Sequence, residues 1–96
     1  SAGITIHWSH TIVDTKGYKR LNATALQVMK PGALLFTFSC SQVVDSKLFY
    51  NTIMAAAIQT GRKVRVLHQV TQPADHPINI YHAESHYLKG LVLQVI

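Results

Sequence analysis

Lys30 to Ser41 reads KPGALLFTFSCS: a Pro-Gly pair, an apolar run, and the chain's only cysteine between two serines. Proline cannot continue a helix and glycine readily closes one, so Pro31-Gly32 marks a stop. Residues 33 to 40, ALLFTFSC, are apolar on both faces, as expected for a strand covered by layers on either side. In open, mostly parallel sheets, ligands and reactive side chains gather at the carboxyl ends of the strands. Cys40 therefore stands where an α/β protein places its chemistry, and Ser39 and Ser41 are read as shaping the turn or bonding nearby backbone.

Working upstream, Tyr18, Leu21, Ala25, Val28 and Met29 recur at helical spacing between about Asp14 and Lys30, while Lys16, Lys19 and Arg20 crowd one end. Before them ITIHW, residues 4 to 8, alternates as a short strand does. Downstream, Asp45 or Ser46 caps a helix that turns Leu48, Phe49, Ile53, Ala56 and Ala57 inward and ends at Gly61. KVRVLHQV, residues 63 to 70, predicts a strand with basic residues early on one face. A loop with Pro73 and Pro77 follows, and YLKGLVLQVI, residues 87 to 96, predicts a closing strand. The alternation of helices and strands places the chain in the α/β class.

Ninety-six residues, 48% of them hydrophobic, make one small domain with a single core. Nine Lys and Arg against four Asp and Glu give a formal charge of +5, which favours an anionic partner such as RNA. One cysteine forms no internal disulfide, and no apolar run reaches the roughly 20 residues that span a bilayer. His7, Trp8 and His10 interrupt any apolar core that a signal peptide would need. These features imply a reducing, cytoplasmic setting without a membrane anchor.

GYKRLN (17 to 22), KPGALLFTFSCS (30 to 41), AAAIQTGRKVRVLHQ (55 to 69), QPADHP (72 to 77) and HYLKGLVLQV (86 to 95) occur in order. Together they resemble the carboxyl-terminal part of class I SAM-dependent methyltransferases. The closest subgroup is the bacterial large-subunit rRNA cytosine-5 methyltransferases with an amino-terminal PUA domain. The resemblance covers about residues 16 to 96 and implies the last half of a Rossmann-like sheet. Residues 33 to 40 would be the fifth strand and 63 to 70 the sixth. The terminal strand would be the seventh, inserted antiparallel between them. Residues 1 to 15 lie outside the resemblance as a diverged or added segment. They lack the Asp-Pro-Pro that the family carries after its fourth strand. No G-x-G pattern precedes a helix, so S-adenosylmethionine belongs to the parent enzyme and none is expected on this chain alone.

The resemblance also bears on Cys40. Methylation of cytosine carbon 5 requires that carbon to become nucleophilic, and a thiolate adding at carbon 6 achieves this. SCS, residues 39 to 41, is similar to the family's motif at the end of the fifth strand, and the following helix lends its positive end. Without the resemblance, a lone cysteine on an apolar strand is a small buried hydrophobe. Asp75 and His76, in a loop held by two prolines, are candidates for contacting a substrate base or moving a proton; bracing the turn is the structural alternative. Lys19 and Arg20, with Lys16, form one basic group and Arg62, Lys63 and Arg65 another. Each is either a phosphate contact or a solvated surface. His82 and His86, with Glu84, have ligand-like spacing, but not on a helix, and no metal site is expected.

The functional expectation is thus the carboxyl-terminal part of an RNA methyltransferase, inactive alone, with RNA as the parent's partner. The alternatives are a non-catalytic assembly module of the same fold or a methyltransferase with another substrate. If the fifth strand has lost its neighbour, either ITIHW folds back beside it or two chains pair, and a homodimer is expected.

Overall fold

A computed structural model describes residues 3–8, 14–41, 44–73 and 86–96. In chain order these form β1 (Gly3–Trp8), α1 (Thr15–Val28), β2 (Leu34–Ser41), α2 (Ser46–Thr60), β3 (Val64–Pro73) and β4 (His86–Val95).

Both helices begin on an aspartate. The Asp14 side chain accepts the Gly17 N–H at 2.7 Å, and Asp45 accepts the Leu48 N–H at 2.7 Å, each satisfying a donor that the first helical turn leaves open. Of the two candidate caps for the second helix, Asp45 is the one used. The helix ends where glycine allows: α2 closes on Gly61 in the left-handed conformation, φ 72°. After α1 the chain turns through Pro31-Gly32, and the Gly32 N–H donates to the Val95 carbonyl at 2.6 Å. That bond ties the turn to the last strand.

On α1 the buried stripe is Tyr18, Asn22, Ala25 and Leu26, continued by Met29. Leu21 and Val28, expected inside, are exposed at 47% and 69%. On α2, Phe49, Ile53, Ala56 and Ala57 are buried as expected, whereas Leu48 lies at the surface. The helices cover one side of a four-stranded sheet, and a residue a turn's fraction off that stripe points away from it.

The strand order is β1-β2-β4-β3, with β1 parallel to β2 and β4 antiparallel to both neighbours. The terminal strand is therefore inserted between the two strands that precede it, the arrangement expected from the resemblance. Gly3–Trp8 pairs with Leu34–Ser39 in continuous register. The edge of β2 is thus closed within the chain, and among the described residues β1 and β3 are the edge strands.

Trp8, Tyr18, Leu26, Leu35, Phe49, Ile53, Leu93 and Val95 meet in the core between sheet and helices. Period-two alternation puts Leu35, Thr37 and Ser39 on that face, all fully buried, and Phe36, Phe38 and Cys40 on the other, half-buried. The expectation of equal cover on both faces of β2 is corrected here: α1 and α2 lie on the same side. On the opposite side Phe38 stacks between Phe36 and His7, with centroids 5.0 and 4.6 Å apart. Gly90 makes room for these rings, since a Cβ there would lie 3.3 Å from both phenylalanines.

Candidate functional site at the end of the second strand

Cys40 is the penultimate residue of β2, half-buried, at the strand's carboxyl end. The pairing with β4 is irregular there. Ser39 faces Lys89 and Ser41 faces His86, so β4 carries one more residue than β2 across this step. Irregularities of this kind re-aim a side chain and end the regular ladder, and they gather beside functional sites. Asp45, the cap of α2, stands a few residues beyond.

Lys89 lies across from Ser39, and both are buried, at 2% and 0% exposure. Burial pulls the Lys89 ammonium below its ordinary value of 10.5, while Cys40 and Asp45 act in the opposite direction and favour its charge. Lys89 did not stand out in the sequence, although a signal was present. It is the one charged residue inside the nearly continuous apolar run YLKGLVLQVI.

Beneath this strand end lies a polar and aromatic layer. Trp8 stacks on Tyr18 at 4.4 Å, and the Tyr18 hydroxyl shares a buried hydrogen bond with the Thr37 hydroxyl. Asn22 Nδ2 donates to the Tyr18 carbonyl at 2.8 Å. Desolvation raises the Tyr18 phenol above its ordinary 10.0, opposed by hydrogen bonds from Thr37, Asn22 and the backbone of Phe38. Trp8 and Tyr18 are therefore core residues, and Tyr18 has no face open for stacking on a base.

The other candidates are dispersed. Arg20 lines a groove of about 250 Å³ between the helices with Gln59 and Thr60, in the last turn of α2, at the end away from Asp45. Lys19 is half-buried on α1. Arg62 donates to the Leu26 carbonyl at 2.8 Å and the Gln27 carbonyl at 3.3 Å, which satisfies open acceptors at the end of α1. A structural role therefore occupies Arg62, while Lys63 and Arg65 remain exposed. Asp75, His76, His82 and Glu84 lie outside the described residues. Among the described residues no group of three His, Cys, Asp or Glu is placed to hold a metal. Nor is any described helix long and apolar enough to cross a membrane.

The cofactor that the fold implies needs a glycine-rich turn leading from a strand into a helix. The described glycines with positive φ are Gly32 and Gly61; one precedes β2 and the other follows α2. The β1–α1 connection, residues 9 to 14, contains no glycine.

No protein-family profile matches the chain. It is 44% identical over 81 residues to ribosomal RNA large subunit methyltransferase I of Tolumonas auensis, a match covering 84% of this chain and 20% of that protein. The enzyme of the same name from Vibrio vulnificus is 42% identical over 81 residues, with the same shares of each chain. The chain thus spans about a fifth of the length of these curated relatives. Among solved structures, one described as a SAM-dependent methyltransferase from Streptococcus mutans superposes with a TM-score of 0.73 at 21% identity, covering 97% of this chain and 25% of that one. A methyltransferase solved with SAH gives 0.71 at 20% identity, over 97% of this chain and 26% of its own. The chain has a Rossmann-like mixed α/β fold that superposes on part of class I SAM-dependent methyltransferases, and its homologues are large-subunit ribosomal RNA methyltransferases.

Proposed function

We propose that this chain is the carboxyl-terminal part of a SAM-dependent enzyme that methylates large-subunit ribosomal RNA at carbon 5 of a cytosine, with Cys40 as nucleophile. The observation that carries the reading is the similarity to ribosomal RNA large subunit methyltransferase I, in a chain whose only cysteine sits at the carboxyl end of β2. The thiolate adds at carbon 6, forming a sulfur–carbon bond and moving the ring's double-bond pair onto carbon 5, which then accepts the methyl group. Once carbon 5 has lost its proton, the pair returns to the ring and the sulfur leaves as thiolate. The chain's part in this is the nucleophile and the basic surface. The cofactor site belongs to the remainder of the enzyme. Asp75 and His76 follow β3 in the chain and are proposed as base contacts. Lys19, exposed Arg20 and the basic start of β3 are proposed as phosphate contacts.

The test is Cys40→Ala in the full-length protein. Methylation of ribosomal RNA should fall below detection while affinity for S-adenosylmethionine stays within about twofold, because a base-attacking thiolate does not hold the cofactor. Near-normal turnover of the variant removes Cys40 from the mechanism.

A further inference from the structure

The groove of about 250 Å³ between the helices takes no part in the chemistry at the end of β2. That volume falls short of the roughly 300–1,000 Å³ of pockets that enclose drug-sized ligands, so it suits one small group. Arg20, Thr24, Gln27 and Gln59 bring hydrogen-bonding side chains to it, Val28 forms an apolar flank, and no carboxylate lines it. The same face continues along α1. Lys16, Arg20, Thr24 and Gln27 follow one another at spacings of four, four and three, and all four are exposed, so a basic stripe leads into the groove.

An anion beside the carboxyl ends of two helices meets the negative ends of their dipoles, unless the open carbonyls there are covered. Here they are. On α1, Arg62 donates to the Leu26 and Gln27 carbonyls and the Met29 N–H to the Ala25 carbonyl. On α2, the Thr60 hydroxyl donates to the Ala57 carbonyl at 2.8 Å and the Gly61 N–H to the Ile58 carbonyl at 3.1 Å. Arg62 thereby sets a second guanidinium beside Gln27, one of the groove's walls. The described carboxylates, Asp14 and Asp45, are engaged as caps at the other ends of the helices. Asp45 lies about 21 Å along α2 from Gln59, well beyond the roughly 10 Å Debye length at 0.1 M salt, and Asp14 lies about 9 Å along α1 from Arg20.

We infer that this groove seats one phosphate of the RNA backbone, with Arg20 as the cation on it, Thr24, Gln27 and Gln59 as hydrogen-bond donors, and Val28 against the neighbouring ribose. The inference rests on RNA being the substrate and gives it a second contact surface, on the helix side and at the end of the helices away from Asp45. Phosphate contacts fix the register of a nucleic acid without reading its sequence. The groove therefore positions the RNA and leaves the choice of base to the end of β2.

The experiment is titration of the full chain into a fluorescein-labelled single-stranded RNA, read by anisotropy at several salt concentrations. Arg20→Gln should weaken binding about fivefold at low salt and lower the slope of log K against log salt by about 0.7, the share of one phosphate on a single strand. Thr24→Trp fills the groove without altering net charge and should weaken binding by a similar factor. Lys47→Gln removes an equal charge from an exposed position at the other end of α2 and should leave affinity within about twofold. Wild-type affinity in Thr24→Trp overturns the inference. So does a loss in Lys47→Gln equal to that in Arg20→Gln, which would show that net charge alone attracts the RNA. All three positions are exposed, so each variant should keep the fold. An RNA that fails to bind the wild-type chain overturns the inference together with the RNA reading, whereas binding that survives Thr24→Trp overturns the groove alone. Because binding needs no methyl transfer, neither outcome depends on whether Cys40→Ala abolishes turnover.

Discussion

Tyr18 shows how one side chain joins three parts of the molecule. Its ring stacks on Trp8 of β1 and its hydroxyl meets Thr37 of β2, while the residue itself belongs to α1. Tyr18→Phe keeps the stack but leaves the buried Thr37 hydroxyl without this partner, so the variant should lose about 1–3 kcal/mol in urea unfolding. The pH dependence has a definite sign. Folding raises the Tyr18 value above 10.0, so the folded state holds its proton more tightly than the unfolded chain does. The stability linked to Tyr18 is complete below pH 10.0 and is lost as pH rises through the raised value. The difference between wild type and Tyr18→Phe should therefore narrow on going alkaline, and a constant difference would place the phenol in an ordinary setting.

At the scale of the element, α2 depends on Asp45 for its start. The cap works through a side-chain oxygen that accepts the Leu48 N–H, which asparagine also provides. Asp45→Ala should destabilise the chain by about 1 kcal/mol and Asp45→Asn by much less, as measured by denaturant midpoints. Equal losses in the two variants would show that charge, and not the cap, sets the helix start. β1 is the other informative element. Its alternation was legible in ITIHW, but its place beside β2 comes from a parallel pairing that no local pattern announces.

For the whole molecule, the sheet has a helix-covered side and a side where Phe36 and Phe38 are only half-buried. Among the described residues β1 pairs with β2 alone, so its outer edge offers unpaired backbone groups. We expect the isolated chain to self-associate into a homodimer through this side and edge, although β1 already closes the gap beside β2. Light scattering over a concentration series should give twice the monomer mass. A monomer mass at high micromolar concentration would show that β1 is cover enough.

What the sequence determined by itself is local. Aspartates that cap helices, Pro31-Gly32 and Gly61 that stop them, and apolar runs long enough for strands placed each element in its class and order. The cysteine at the end of β2 was legible for the same reason, because a strand and the helix cap after it bracket its position. Tertiary structure alone decided which face of each element is covered. Leu21, Val28 and Leu48 match a helical period, yet both helices press on one side of the sheet and leave these residues outside. It also decided that Arg62 closes the end of α1 and that Lys89 stands beside the Cys40 strand end. These are contacts between segments far apart in the chain, set by strand register and by the packing of helices on a sheet, and periodicity within one segment carries no record of its partner.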